Sequence, residues 1–133
     1  MAVKLERRSM LKHFSEDEFN HFDKMDKRFL EFLDDVRSLA GVAFVITSDY
    51  RTREDNQRVG GSATSAHLKG RAVDFVIRPW NGATYYGVIA AAVAVSSMPK
   101  WASHGMELKV APTPNRHIHI AWDGWPQSSF IVG

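Results

Sequence analysis

The sequence has no cysteine. Neither a disulfide nor a thiolate metal ligand can belong to it, and any metal must be held by histidine and carboxylate. It has no apolar run near the roughly 20 residues of a membrane span; the longest, Gly87 to Val95, is less than half that, so no membrane insertion is expected. It has no marked excess of one charge. Seventeen Lys+Arg stand against 15 Asp+Glu, and the basic residues are not gathered into an arm, which argues against nucleic acid. Internal repeats and low-complexity segments are missing. The charged segment Met1 to Lys12 lacks the apolar stretch of a secretory signal, so the expectation is synthesis in the cytoplasm without a signal peptide. What remains is 133 residues, 44% apolar and 24% charged. That is the composition of one globular domain, 1–133, with a genuine core.

Ser15 and Glu18 have the spacing of a capping box and should open a short helix. From Asp23 to Ala40, residues Phe29, Phe32, Leu33, Val36 and Leu39 recur at helical spacing, and Gly41 ends the run. Val42 to Thr47 is short, β-branched and apolar, and reads as a central strand. Thr52 to Val59 reads as one or two helical turns, Ala72 to Ile77 as a buried strand, and Ala83 to Ser97 as a small-residue helix buried on the sheet. Gly105 to Val110 and Arg116 to Trp122 both alternate, with turn chemistry at Ala111 to Asn115 between them, and read as a hairpin. Helices first and an antiparallel sheet later make an α+β domain.

The chemistry gathers around Ser65-Ala66-His67-Leu68-Lys69-Gly70-Arg71-Ala72-Val73-Asp74. His67 and Asp74 suggest a metal site. On a single helix, seven residues would separate them by about 10 Å, whereas two ligands of one zinc must each come within roughly 2.0–2.2 Å of it. The segment should therefore bend at Gly70, with His67 on a loop folded over Asp74 on a strand. A third ligand lies downstream in His117-Ile118-His119. Alternatively, His67 caps a turn, Asp74 pairs with Arg71 or Arg78, and His119 is an ordinary strand residue.

Ser-x-His-x-x-Gly-x-Ala-x-Asp followed by a late His on a strand resembles the D-alanyl-D-alanine carboxypeptidase family of zinc peptidases, with its dipeptidase, phage endolysin and hedgehog-domain relatives. Ile46 to Arg51 is similar to that family's Ser-Gly-Tyr-Arg segment, Asn56 to Gly61 to its Asn-x-x-Val-Gly-Gly turn, and His13-Phe14-Ser15 with Glu18-Phe19 to the opening of its small cell-wall members. The resemblance implies a compact fold with a central antiparallel sheet flanked by helices. It also implies a zinc-dependent peptidase acting on peptidoglycan stem peptides of the cell wall, in phage lysis or wall remodelling; a monomer is expected. The bond would be an internal L-alanyl-D-glutamate or a terminal D-alanyl-D-alanine. Hedgehog domains imply the other reading, a non-catalytic zinc module of the same fold.

Carried over by motif, His67, Asp74 and His119 are the zinc ligands, and His117 stands beside the site to assist the water or the developing oxyanion. Arg51 receives a substrate carboxylate or polarises the scissile carbonyl, a task suited to a guanidinium fork; Asp49 or Asp55 are its alternative, structural partners. Ser65 supports the site and the substrate through a hydrogen bond. Hydrolysis also needs a base. Many relatives carry an acidic residue three positions before the last ligand, where this chain has Arg116. The hedgehog-like pattern places a Glu earlier, across a tight turn. Pairing Lys109 with His117 would set Glu107 directly opposite His119, within reach on one face, so Glu107 is the expected base. Asp123 is the other candidate, and a surface lysine is Glu107's alternative partner.

Overall fold

The computed structural model describes residues 11–111, 116–122 and 129–132. The elements run α1 (Lys27–Ala40), β1 (Ala43–Ser48), α2 (Arg53–Arg58), β2 (Ala72–Arg78), α3 (Gly82–Ser96), β3 (Met106–Ala111), β4 (His117–Trp122) and β5 (Ser129–Val132). Short 3-10 turns occupy Glu16–Glu18, Phe22–Lys24 and Ala66–Lys69. The arrangement is α+β, as expected. The segments 1–10 and 112–115, together with Asp123 and Trp125, lie outside the described residues.

Helix α1 begins at Lys27 rather than Asp23 because Asp26 is its N-cap, the side chain accepting from the Phe29 N–H at 3.0 Å. Phe22–Lys24 is a separate turn. Phe29, Phe32, Leu33 and Val36 are buried as their spacing requires, whereas Leu39 is 54% exposed and falls off the stripe. The buried Asp34 carboxylate accepts from the backbone of Lys12 and His13, which ties the preceding segment to this helix.

The sheet order is β1-β2-β4-β3-β5. The first four strands are mutually antiparallel, and β5 adds to β3 in parallel. β1 is thus an edge strand, not the central one that its composition suggests; Phe44 is buried by stacking on Phe75, with centroids 4.3 Å apart. β5 is a strand that the sequence reading does not include. Val73, Phe75, Ile77, Leu108, Val110, Ile118 and Ile120 are buried on one face and join residues of α1 and α3 in a single apolar cluster. Trp122 completes it beside Phe29 and Phe32, with ring centroids at 5.4 and 5.3 Å. α3 packs mainly on α1 and touches the sheet at β2, so it is less a cover for the sheet than expected.

The β3–β4 register differs from the expected one by two residues. Lys109 pairs with His119, Ala111 with His117 and Glu107 with Ala121. A two-residue slip leaves every side chain on the same face, so the apolar pattern is satisfied either way. Ladder length decides it, because the observed register pairs all six residues of both strands.

The opposite face of the sheet carries Asp74, Glu107, Lys109, His117 and His119. The turn Ala66–Lys69 lies over this face because Ala66, Ala72 and Ala121 form a small buried cluster there. Gly70, at φ +67°, returns the chain to β2; a Cβ at this position would run into the Lys24 carbonyl oxygen and the Met25 Cα. The close approach is held by Asp26 N–H donating to the Gly70 carbonyl at 2.9 Å and by Arg71 Nε donating to Asp26 at 2.9 Å.

Burial opposes the charged form of Asp26, but the Phe29 N–H and Arg71 outweigh it and lower its pKa. An unfolded Asp titrates near about 3.9. The stability Asp26 contributes is therefore present above that value and is lost as pH falls through the lower native one. Replacing Asp26 with Ala should cost about 1 kcal/mol at neutral pH and make the fall in melting temperature below about pH 4 shallower than in the wild type. Thermal melts across the acid range measure both.

Candidate metal centre and active-site cleft

His67 sits in the 3-10 turn, capped by Ser65, whose Oγ accepts from the His67 N–H at 3.2 Å. Asp74 and His119 are register partners on β2 and β4. One ligand atom from each of His67, Asp74 and His119 lies within 4.8 Å of the others. Ligands of a tetrahedral zinc sit roughly 2.1 Å from the ion and so about 3.4 Å from one another. His67 Nε2 and Asp74 Oδ2 are already 3.5 Å apart, and the trio fits such an ion with small adjustments.

The donor chemistry also fits. His67 is only 2% exposed, and its Nδ1 lies 2.6 Å from the Asp49 carbonyl oxygen. A carbonyl can only accept, so Nδ1 carries the proton and Nε2 offers its lone pair on the Asp74 side. Burial opposes charge on Asp74, yet its interactions with His119 and His67 outweigh it and hold the carboxyl well below the usual carboxylate range. A metal ligand has to be deprotonated, and this one stays so.

His119 lies between two carboxylates. Its Nδ1 is 2.8 Å from Asp74 Oδ1, and its Nε2 is 2.9 Å from Glu107 Oε1. Glu107 therefore reaches His119 despite the shifted register, on the diagonal instead of directly across. Its other oxygen is 3.7 Å from Lys109 Nζ, so the lysine pairing expected as an alternative is present as well.

Arg51 pairs with neither Asp49 nor Asp55. Its guanidinium donates to Asp74 Oδ2 at 3.3 Å and to Asn56 Oδ1 at 3.4 Å, while Asp49 is bound by His21 and Asp55 by Arg58. Nor does Asp74 pair with Arg71, which is committed to Asp26. Asn56 is buried and donates to the Ser62 carbonyl, and a Cβ on Gly61 would strike its side chain. The Asn56 to Gly61 turn thus serves to hold Arg51 against the site.

These residues open into one cleft of about 850 Å³, lined by Arg51, Ser65, His67, Asp74, Glu107, His117 and His119 together with Lys69 and Lys109. All seven sequence candidates are brought together there. Lys69 and Lys109 join the cleft without being sequence candidates, although Lys109 alternates onto the same face as Glu107. Arg116 is directed away, its guanidinium carbon 5.2 Å from the Trp80 ring centroid. Asp123 lies outside the described residues.

His67→Ala should remove stoichiometric zinc, as measured by metal analysis of the dialysed protein, because only two of the three ligands remain. Near one zinc per chain in that variant would overturn the ligand assignment.

No curated protein sequence matches the chain. A family model described as Peptidase M15 matches residues 4–121. The members of that family are zinc peptidases, and the His-Asp-His group meets the requirement that zinc imposes. By this match, which spans most of its length, the chain belongs to the M15 family of zinc peptidases.

Proposed function

We propose that this protein hydrolyses peptidoglycan stem peptides, as an L-alanyl-D-glutamate endopeptidase or a D-alanyl-D-alanine carboxypeptidase of the cell wall, in lysis or wall remodelling. The observation that carries the reading is the convergence of three side chains able to hold zinc, a carboxylate and a guanidinium in one cleft of a size that suits a short peptide. Zinc, when bound, supplies Lewis acidity that polarises a carbonyl oxygen and lowers the pKa of water towards about 7.

The chain's own residues do the rest. Arg51, 19% exposed at its side chain, turns a fixed positive charge towards the cleft and grips a substrate carboxylate or the scissile carbonyl. Glu107 takes a proton from the attacking water and returns it to the leaving amine. His117 lies on the same face as His119 and assists the water or the developing oxyanion. Ser65 keeps the His67 turn in place and borders the substrate.

The second reading is a non-catalytic zinc module of the same fold. Two observations favour it: Arg116 stands where many relatives have an acid, and Glu107 is engaged by His119 Nε2. In that case Glu107 orients a ligand and transfers no proton.

Purified peptidoglycan incubated with zinc-loaded protein should release new fragments whose formation a chelator suppresses, and their masses identify the bond. An untouched wall with one zinc retained would favour the non-catalytic module. Glu107→Gln should keep zinc and lose hydrolysis by a factor of about 10²–10⁴. Weakened zinc binding with unchanged turnover per bound zinc would instead make Glu107 a positioning residue.

A further inference from the structure

His67 Nδ1 is fixed by a backbone carbonyl, and a carbonyl is only as well aimed as the loop that carries it. The Asp49 carbonyl belongs to the segment that follows β1. This segment touches His67 twice, through Asp49 O accepting from Nδ1 at 2.6 Å and through Arg51 N–H donating to the His67 carbonyl at 3.0 Å. The Asp49 side chain points the other way. It is almost wholly buried, and a buried carboxylate is costly unless paired.

His21 supplies the pairing. Its backbone N–H donates to Asp49 Oδ2 at 2.9 Å and its ring Nδ1 to Oδ1 at 2.9 Å. The ring also meets Tyr50 edge-on at 5.7 Å. His21 is itself anchored, for it lies between Phe19 and Phe22, whose rings are 5.9 Å apart, and Phe19 is part of the core. Among the described residues, neither His21 nor Asp49 lines the cleft.

We propose that His21 and Asp49 are positioning residues for the metal centre, a two-point clamp from the amino-terminal segment that aims the Asp49 carbonyl at His67 Nδ1 and so presents Nε2 to the zinc. The inference rests on the reading of His67 as a zinc ligand and does not need the bond cleaved to be known. Residues that orient a ligating histidine from behind set metal affinity without touching the metal.

The test is zinc affinity of the full chain by competition with a chromophoric chelator, alongside thermal melting of the metal-free protein. His21→Ala, at a side chain 44% exposed, and Asp49→Ala should each weaken zinc binding by about 10–100-fold. His21→Asn, whose amide can replace the ring N–H while the backbone donor is unchanged, should stay within a few-fold of wild type. A merely structural role would lower the melting temperature and leave the affinity of the folded protein unchanged. The clamp is overturned if folded His21→Ala binds zinc as tightly as wild type, or if His21→Asn is as weak as His21→Ala. Should Asp49→Ala not fold, the histidine pair of variants decides alone. Zinc bound normally by a wild type that leaves peptidoglycan intact would sink the peptidase reading and not this one.

Discussion

The candidate metal centre depends on one close approach, that of the turn carrying His67 to the open face of the sheet. Two of the candidate ligands, Asp74 and His119, are register partners on adjacent strands and need only the ladder between β2 and β4. The third must be lowered onto them from above. Three alanines make the room, and Gly70, in a backbone conformation that L side chains rarely adopt, lets the chain turn back into β2 while its backbone touches Lys24 and Met25. The same contact is sealed by Asp26, which caps α1, receives Arg71 and binds the Gly70 carbonyl. The helix start and the ligand turn are thus one assembly.

Electrostatically the site is built around a single carboxylate. Asp74 meets His67, His119 and Arg51, and the charge it keeps despite burial gathers side chains from three separate segments in one cleft. His119 extends the chain of contacts to Glu107, and Glu107 to Lys109. A divalent cation placed among His67, Asp74 and His119 would exchange hydrogen bonds for coordination with little change of fold, because the donors already converge. Arg51 would then be free to turn its remaining donors to an anionic group of a substrate, held as it is from behind by Asn56.

How far the sequence could be read follows from how local each relation is. The His67 to Asp74 spacing is confined to one bend, so its geometry could be argued from rise per residue and a glycine. Leu39 and the start of α1 differ from the expectation for a local reason: the apolar stripe has no sharp edge, whereas the Asp26 cap does. The β3–β4 register was missed by two residues because alternation has period two and cannot tell one even shift from another; for the same reason the conclusion that Glu107 shares a face with His119 survived. The edge position of β1 and the parallel β5 are properties of strand order, which composition does not encode. Arg51 has two aspartates near it in the chain, Asp49 and Asp55, and only packing selects Asp74, 23 residues away.

By itself, then, the sequence bounds the type of chemistry: without cysteine, a metal here has to rest on histidine and carboxylate, and the motif from Ser65 to Asp74 with His119 nominates which ones. The tertiary structure alone decided what surrounds them. His21 and Asp49 are 28 residues apart and only meet, behind His67, because Phe19 is buried in the core and β1 ends beside it. A hydrogen bond acts over about 3 Å, and which groups come within that distance across such separations is settled by burial of the intervening apolar residues, not by any pattern in the residues that bond.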